Sequence, residues 1–238
     1  MDLNKRQQIQ RDCFEKEAKD YNATRTNHCH YKKIELIAGY LNIQPGETVL
    51  EVGVGTGVHA KRLLEKYAPP DIYFIGCDLS PAMVEETRKK LKSFPNVRLF
   101  SAPGESLPLE NSSVDKAYIS GSLHHFDNKR KGLEELVRVV KSGGLIVISE
   151  PNIFNPINFV LTLLKFKTER GQFQTRSHAL QRLFSGLPVR IIDQKLFNFT
   201  PPFLKAASQI FDKIDSLMEN VPVLRIIGSM NIIVVKRL

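Results

Sequence analysis

The residues Thr48 to Ala60, read T-V-L-E-V-G-V-G-T-G-V-H-A, constrain this chain more than any other stretch. An apolar, β-prone run carries Glu51 near its end and meets Gly53, Gly55 and Gly57. Beyond the last glycine, Ala60, Leu63, Leu64 and Tyr67 recur at helical spacing. The pattern is a strand, a glycine turn and a helix. Glycine lets the backbone take φ > 0 and approach a ligand closely, because no Cβ intervenes. The helix start directs unpaired N–H groups and partial positive charge at whatever lies above the turn. Such a turn suits a nucleotide-like ligand that carries negative charge.

A second buried strand is predicted over 71–77 (D-I-Y-F-I-G-C), closing at Asp78, 21 residues beyond Gly57. In a βαβ unit this spacing puts a carboxylate at the second strand's tip, within reach of ribose hydroxyls. Helix capping does not require Asp78, because Ser80 supplies the N-cap and Pro81 the favoured first helical position. Gly55, Gly57 and Ala60 also fit the dinucleotide pattern G-x-G-x-x-G/A. The fuller match, E-x-G-x-G-x-G over 51–57, resembles the first motif of the class I S-adenosylmethionine (SAM) methyltransferases. The string C-D-L-S-P-A-M at 77–83 looks like their second. The resemblance implies SAM as cofactor, with Asp78 on the ribose, Met83 against adenine and Glu51 toward the methionine amine. It implies further contacts from Gly53, Gly55, Gly57, Leu79 and Ser120.

A third strand at Val97–Phe100 leads to P-G-E-S-L-P-L at 103–109, similar to the family's acidic turn beside adenine. Pro103 stands where that family often has Asp, so the adenine contact implied here falls to backbone near Gly104 and Glu105. A fourth strand, Val114–Ser120, runs into G-S-L-H-H-F-D at 121–127. Ligands of open parallel sheets lie outside the strands' carboxyl ends, which puts His124 and His125 beside a methyl acceptor. Imidazole titrates near neutrality and can take a proton from a hydroxyl or phenol. Both are candidate catalytic residues, and the resemblance favours His125 for the role facing the active site; otherwise one of the pair packs under the cofactor and the other lies at the surface. The string R-V-V-K-S-G-G-L-I-V-I-S-E-P at 138–151 looks like the family's late motif. It reads as a helix capped by Lys141–Gly144 and a fifth strand at Leu145–Glu150.

The fold expected is α/β: a Rossmann-like, seven-stranded, mostly parallel sheet with an antiparallel last strand (Met230–Lys236), helices on both faces and an N-terminal helical cap. One domain is expected, comprising a cap at 1–44, a SAM-binding core at 45–151, a helical lid insertion at 152–187 and completion of the sheet at 188–238. The first helices, with Ile34, Ile37, Ala38 and Leu41 on one face, would close over the cofactor and bring Tyr21 and Arg25 toward it. In the insertion, Ile157, Val160, Leu161 and Leu164 are predicted to line or cover the acceptor pocket, with basic Lys165, Lys167, Arg170 and Arg176 beyond. A strand at Val189–Phe199 and a helix over 203–218 complete the expected elements.

At 238 residues, 42% hydrophobic and 25% charged, the chain is long and apolar enough to bury a large core. Its three cysteines show no paired spacing, and its first residues lack a signal peptide's apolar core, so a cytoplasmic setting is expected. No stretch approaches the roughly 20 apolar residues of a membrane span. A net charge of +9 favours an anionic small molecule, an anionic membrane surface touched peripherally, or nucleic acid. No metal is expected: His28-Cys29-His30 has no further ligand nearby to complete a site. The function expected is SAM-dependent methyl transfer to the hydroxyl of a small or lipid-like acceptor. The alternatives are an NAD(P)-dependent oxidoreductase, a nucleic-acid methyltransferase suggested by T-P-P-F at 200–203, and a SAM-fold protein that binds without catalysis. The sequence leaves the oligomeric state open.

Overall fold

The computed structural model describes residues 3–18, 28–197, 221 and 226–238. Tyr21, Arg25, the T-P-P-F string and the helix expected over 203–218 lie outside the described residues. Seven strands form one sheet: β1 (Thr48–Val52), β2 (Tyr73–Asp78), β3 (Val97–Ser101), β4 (Val114–Ser120), β5 (Val140–Pro151), β6 (Val189–Phe197) and β7 (Met230–Arg237). Their order is β3-β2-β1-β4-β5-β7-β6, and β7 runs antiparallel to both β5 and β6. The chain builds outward from β1 to β3 and then returns to lay β4 on β1's other side. The reversal opens a crevice above the carboxyl ends of β1 and β4.

The central strands are apolar on both faces because helices cover both. On one face, α2 (His28–Leu41) and α3 (Val58–Lys66) bury Ile34, Ile37, Leu41, Ala60 and Leu63 against Val49, Tyr118 and Val147. Each of the larger side chains contributes about 1.5–3 kcal/mol on leaving water. On the other face, Leu133 and Leu136 of α5 (Lys129–Val139) and Leu180 of α8 (Ser177–Leu183) pack on Leu50, Ile119 and Ile148. Between them in sequence lie α4 (Pro81–Lys90), α6 (Pro156–Leu164) and α7 (Phe166–Glu169). The first helix, α1 (Lys5–Glu17), starts at a capping box in which Asn4 accepts from two backbone N–H groups and Gln7 bonds back to Asn4 N.

Most strand ends fall within two residues of the sequence reading, and the start of β5 differs by more. Gly143 and Gly144 do not cap a helix: α5 ends at Val139, and β5 begins at once with Val140. Pairing with β4 slips between Val114↔Val140 and Lys116↔Leu145, so the glycines turn an irregular loop within the strand. Gly143 has φ +82°, and a Cβ on Gly144 would come within 2.4 Å of the Asp115 carbonyl oxygen. Gly143 is thus favoured by its left-handed backbone and Gly144 by the close approach.

Candidate active site

The glycine turn is tied to the tip of β2. Gly53 N and Val54 N both donate to the Cys77 carbonyl, at 2.8 and 2.9 Å. Gly53, Gly55 and Gly57 all have positive φ. A Cβ on Gly53 would lie 2.1 Å from Ser122 Oγ, so the turn and the loop after β4 touch there. Asp78 accepts from Gly55 N at 2.9 Å with one carboxylate oxygen and from Ser80 N at 3.0 Å with the other. Burial raises its pKa, against the pull of those N–H groups. Ser80 is the N-cap of α4, accepting from Met83 N, with Pro81 at the first helical position.

Glu51 lies beneath the turn, buried, and its carboxylate accepts from Tyr118 OH at 2.8 Å. Burial pushes its pKa up to about 8, against the Tyr118 hydrogen bond and the charge of Lys33. Lys33, on α2, is buried with its ammonium beside Gly121. The sequence reading passed over this lysine, because only the packing of α2 on β4 and β5 brings it under the turn.

These elements surround a cavity of about 360 Å³. Gly53, Gly55, Asp78, Leu79, Met83, Gly104, Glu105, Ser120, His124 and His125 all line it, whereas Glu51 and Gly57 do not. Gly57 instead faces α4, where a Cβ would come within 2.9 Å of Thr87. The Glu105 carboxylate is directed at Asp127 N and Asn128 N, at 2.8 and 3.3 Å, bracing the entrance to α5. Gln7, Gln10 and Phe14 of α1 close one side. Glu15 fastens that helix by accepting from Ser80 Oγ at 2.9 Å and Ala82 N at 3.3 Å. Asn158 and Leu161 of α6, with Lys165, Glu169 and Gln172, close another side. Val160 and Leu164 of α6 point to solvent instead.

The histidine pair sits in a 3-10 turn, Leu123–His125, directly after β4. Glu150, buried at the end of β5, accepts from Leu123 N at 2.9 Å and His124 N at 3.1 Å. Its carboxylate also holds His124 Nδ1 at 2.6 Å, while Glu169 holds His124 Nε2 at 3.1 Å. Burial opposes charge on His124, but Glu150 and then Glu169 outweigh it and raise the pKa to about 9. The reciprocal effect holds Glu169 far below the usual carboxylate range despite its burial. Both His124 nitrogens are thus committed to carboxylates, an arrangement that favours the imidazolium. His125 is half-buried, packed edge-on to Phe14 at 5.0 Å and tilted against His124 at 3.9 Å.

Residues 49–144 match a family model described as a methyltransferase domain. Over that stretch, less than half of the chain, the sequence is similar to a methyltransferase domain. A demethylmenaquinone methyltransferase of Corynebacterium kroppenstedtii is 36% identical over 110 residues, covering 46% of this chain and 44% of that protein. A ubiquinone/menaquinone biosynthesis C-methyltransferase of Geobacter sp. (strain M21) is 37% identical over 105 residues, covering 43% of this chain and 44% of its own length. The chain thus spans less than half the length of these relatives. Among solved structures, a SAM-dependent methyltransferase of Thermotoga maritima, described as a possible histamine N-methyltransferase, superposes with a TM-score of 0.68 at 20% identity, over 95% of this chain and 99% of that one.

The matched stretch, 49–144, ends before the insertion that supplies Glu169. Gln172 Nε2 donates to Glu169 at 2.8 Å, and Thr162 Oγ1 on α6 donates to Gln172 Oε1 at 3.0 Å. A polar chain from Glu150 through His124, Glu169 and Gln172 to Thr162 therefore fixes the insertion to the sheet. Ligand-type atoms of His124, His125 and Glu169 lie within 4.8 Å of one another, close enough to converge on a cation. With both His124 nitrogens held by carboxylates, the cluster reads as an ion-paired latch.

Proposed function

We infer that the protein transfers a methyl group from SAM to a lipid-like aromatic acceptor, at a ring carbon or ring hydroxyl. The observation that carries this reading is the single cavity in which the glycine turn, Asp78, the histidine pair and apolar side chains of α1 and α6 converge. The lining fits the cofactor: the Asp78 carboxylate for the ribose diol, Met83 and Ala102 as an apolar surface for adenine, and the Lys33 ammonium for the methionyl carboxylate. When bound, SAM supplies an electrophilic methyl on a sulfonium. The names of the quinone methyltransferase relatives support carbon as the acceptor atom. Removing a hydroxyl proton from an electron-rich ring raises electron density at the ring carbons, so the same base serves carbon and oxygen methylation. His125 takes that proton in this reading, because His124 is already protonated and clamped. Phe14 and Leu161 keep water from the acceptor, and residues 152–187 act as the lid. A nicotinamide reading is disfavoured by the antiparallel β7 and the acid ahead of the glycine turn. A nucleic-acid reading lacks a base-reading motif after β4.

The test uses SAM carrying a ¹³C methyl and a demethylated menaquinol dispersed in detergent. A ring-bound methyl resonance with S-adenosylhomocysteine release is expected, and His125→Ala should slow turnover by about 10²–10⁴-fold with SAM affinity retained. Absence of SAM binding by calorimetry would overturn the cofactor reading. Near-normal turnover in His125→Ala would remove the base.

A further inference from the structure

We propose that the surface around α6 docks the protein on an anionic lipid bilayer, with the helix lying in the headgroup plane beside the cavity. Seven of the sixteen exposed large apolar side chains among the described residues fall within 154–166. Leu164 is 77% exposed, Leu163 and Phe166 50% each. Of the helix's nine residues only Thr162 is fully buried, engaged with Gln172, so nearly its whole circumference meets water. The same patch continues onto Ile226 and Ile227, whose carbonyls Asn152 and Asn155 side chains hold at 2.8 and 2.7 Å. A contiguous apolar surface of this kind marks an interaction site. A helix of nine residues is about 14 Å long, too short to cross a bilayer and suited to lying on one. Among the described residues no helix is long and apolar enough to cross a membrane.

The charge at the patch's edge selects the partner. Lys165 and Arg170 are exposed at the C-terminal side of α6, and Arg6 joins Arg170 around Phe166. Arg6 also has Asp127 at 3.8 Å. The acid within this stretch, Glu169, is turned inward to His124. The exposed rim is thus positive, in a chain of net charge +9, and complements phosphate-bearing lipid headgroups. A second copy is a poorer occupant, because a two-fold contact would set this cationic rim against itself. Leu161 and Lys165 belong both to the patch and to the cavity lining, so a bilayer under α6 would abut the acceptor's route. The inference rests on the lipid-like acceptor reading but is tested without any acceptor, so the two fail separately.

The experiment is co-sedimentation of the full chain with phosphatidylglycerol-containing and pure phosphatidylcholine vesicles, paired with sedimentation equilibrium in buffer. Binding is expected to the anionic vesicles and to weaken as salt rises to ~1 M, where the Debye length falls to about 3 Å. The double variant Leu163→Ser, Leu164→Ser should keep its fold, since neither side chain is buried, and should bind roughly tenfold more weakly. Arg170→Glu should erase the preference for anionic vesicles. Absence of vesicle binding, or equal binding by the serine variant, overturns the proposal. A dimer in buffer that the serine variant disperses would instead assign the patch to self-association.

Discussion

Glu169→Gln tests the latch between insertion and sheet. The substitution keeps the size and a hydrogen-bond acceptor but removes the charge opposite His124 Nε2. The rise of His124 from 6.5 to about 9 amounts to roughly 3 kcal/mol at about 1.4 kcal/mol per pKa unit. Glu150 stands closer and contributes more, and Glu169 supplies the smaller part. Because the folded pKa is the higher one, the folded state binds the extra proton. The stabilisation is complete below about pH 6.5 and is lost as pH rises through about 9. Urea unfolding of both proteins at pH 6 and pH 10 should therefore show a penalty at pH 6, on the scale of about 1.5–3 kcal/mol for a hydrogen bond to a charged group, that shrinks toward zero at pH 10. Other titrating groups cancel in the difference. The variant's His124 ring nitrogens should also titrate at lower pH by NMR. An equal penalty at both pH values would refute the reasoning, because the contact would then be neutral packing.

Glu51→Gln probes the opposite sign. Burial favours the protonated carboxyl up to about pH 8, so wild-type stability falls as pH rises from 4.5 toward 8, and the glutamine variant should gain relative to it across that window. A stability difference that does not change with pH would sink this account. Gly53→Ala adds a Cβ 2.1 Å from Ser122 Oγ at φ +78°. Left-handed strain alone costs roughly 1–2 kcal/mol, so calorimetry should show melting lowered by several degrees, with Ser122→Gly restoring the contact portion and not the rest.

The sequence by itself determined the sheet and the glycine turn at its switch point. Alternating glycines after an apolar run can mean little but a tight turn between strand and helix, and the spacing from Gly57 to Asp78 is one crossover helix long. Ser80, Pro81 and the β4 boundaries were legible for the same reason: capping and strand burial are local, set by neighbours within a turn or two. Even so, the Gly143-Gly144 pair misled, because a glycine serves a helix cap and a strand irregularity equally, and only Asp115 across the sheet decides between them. Only the tertiary structure decided how His124 is held. Glu150 lies 26 residues beyond His124 and Glu169 45 beyond it, and no local pattern announces that two carboxylates will clamp one ring. Lys33 reached the glycine turn by the same kind of long-range packing. The apolar residues of α6 show in the sequence as apolar, but whether such a helix faces a pocket or the solvent depends on what packs against it. Leu161 reaches the cavity's edge while still half-exposed, and Leu163 and Leu164 remain outside, because the polar chain through Thr162 and Gln172 fixes the helix by its one buried edge.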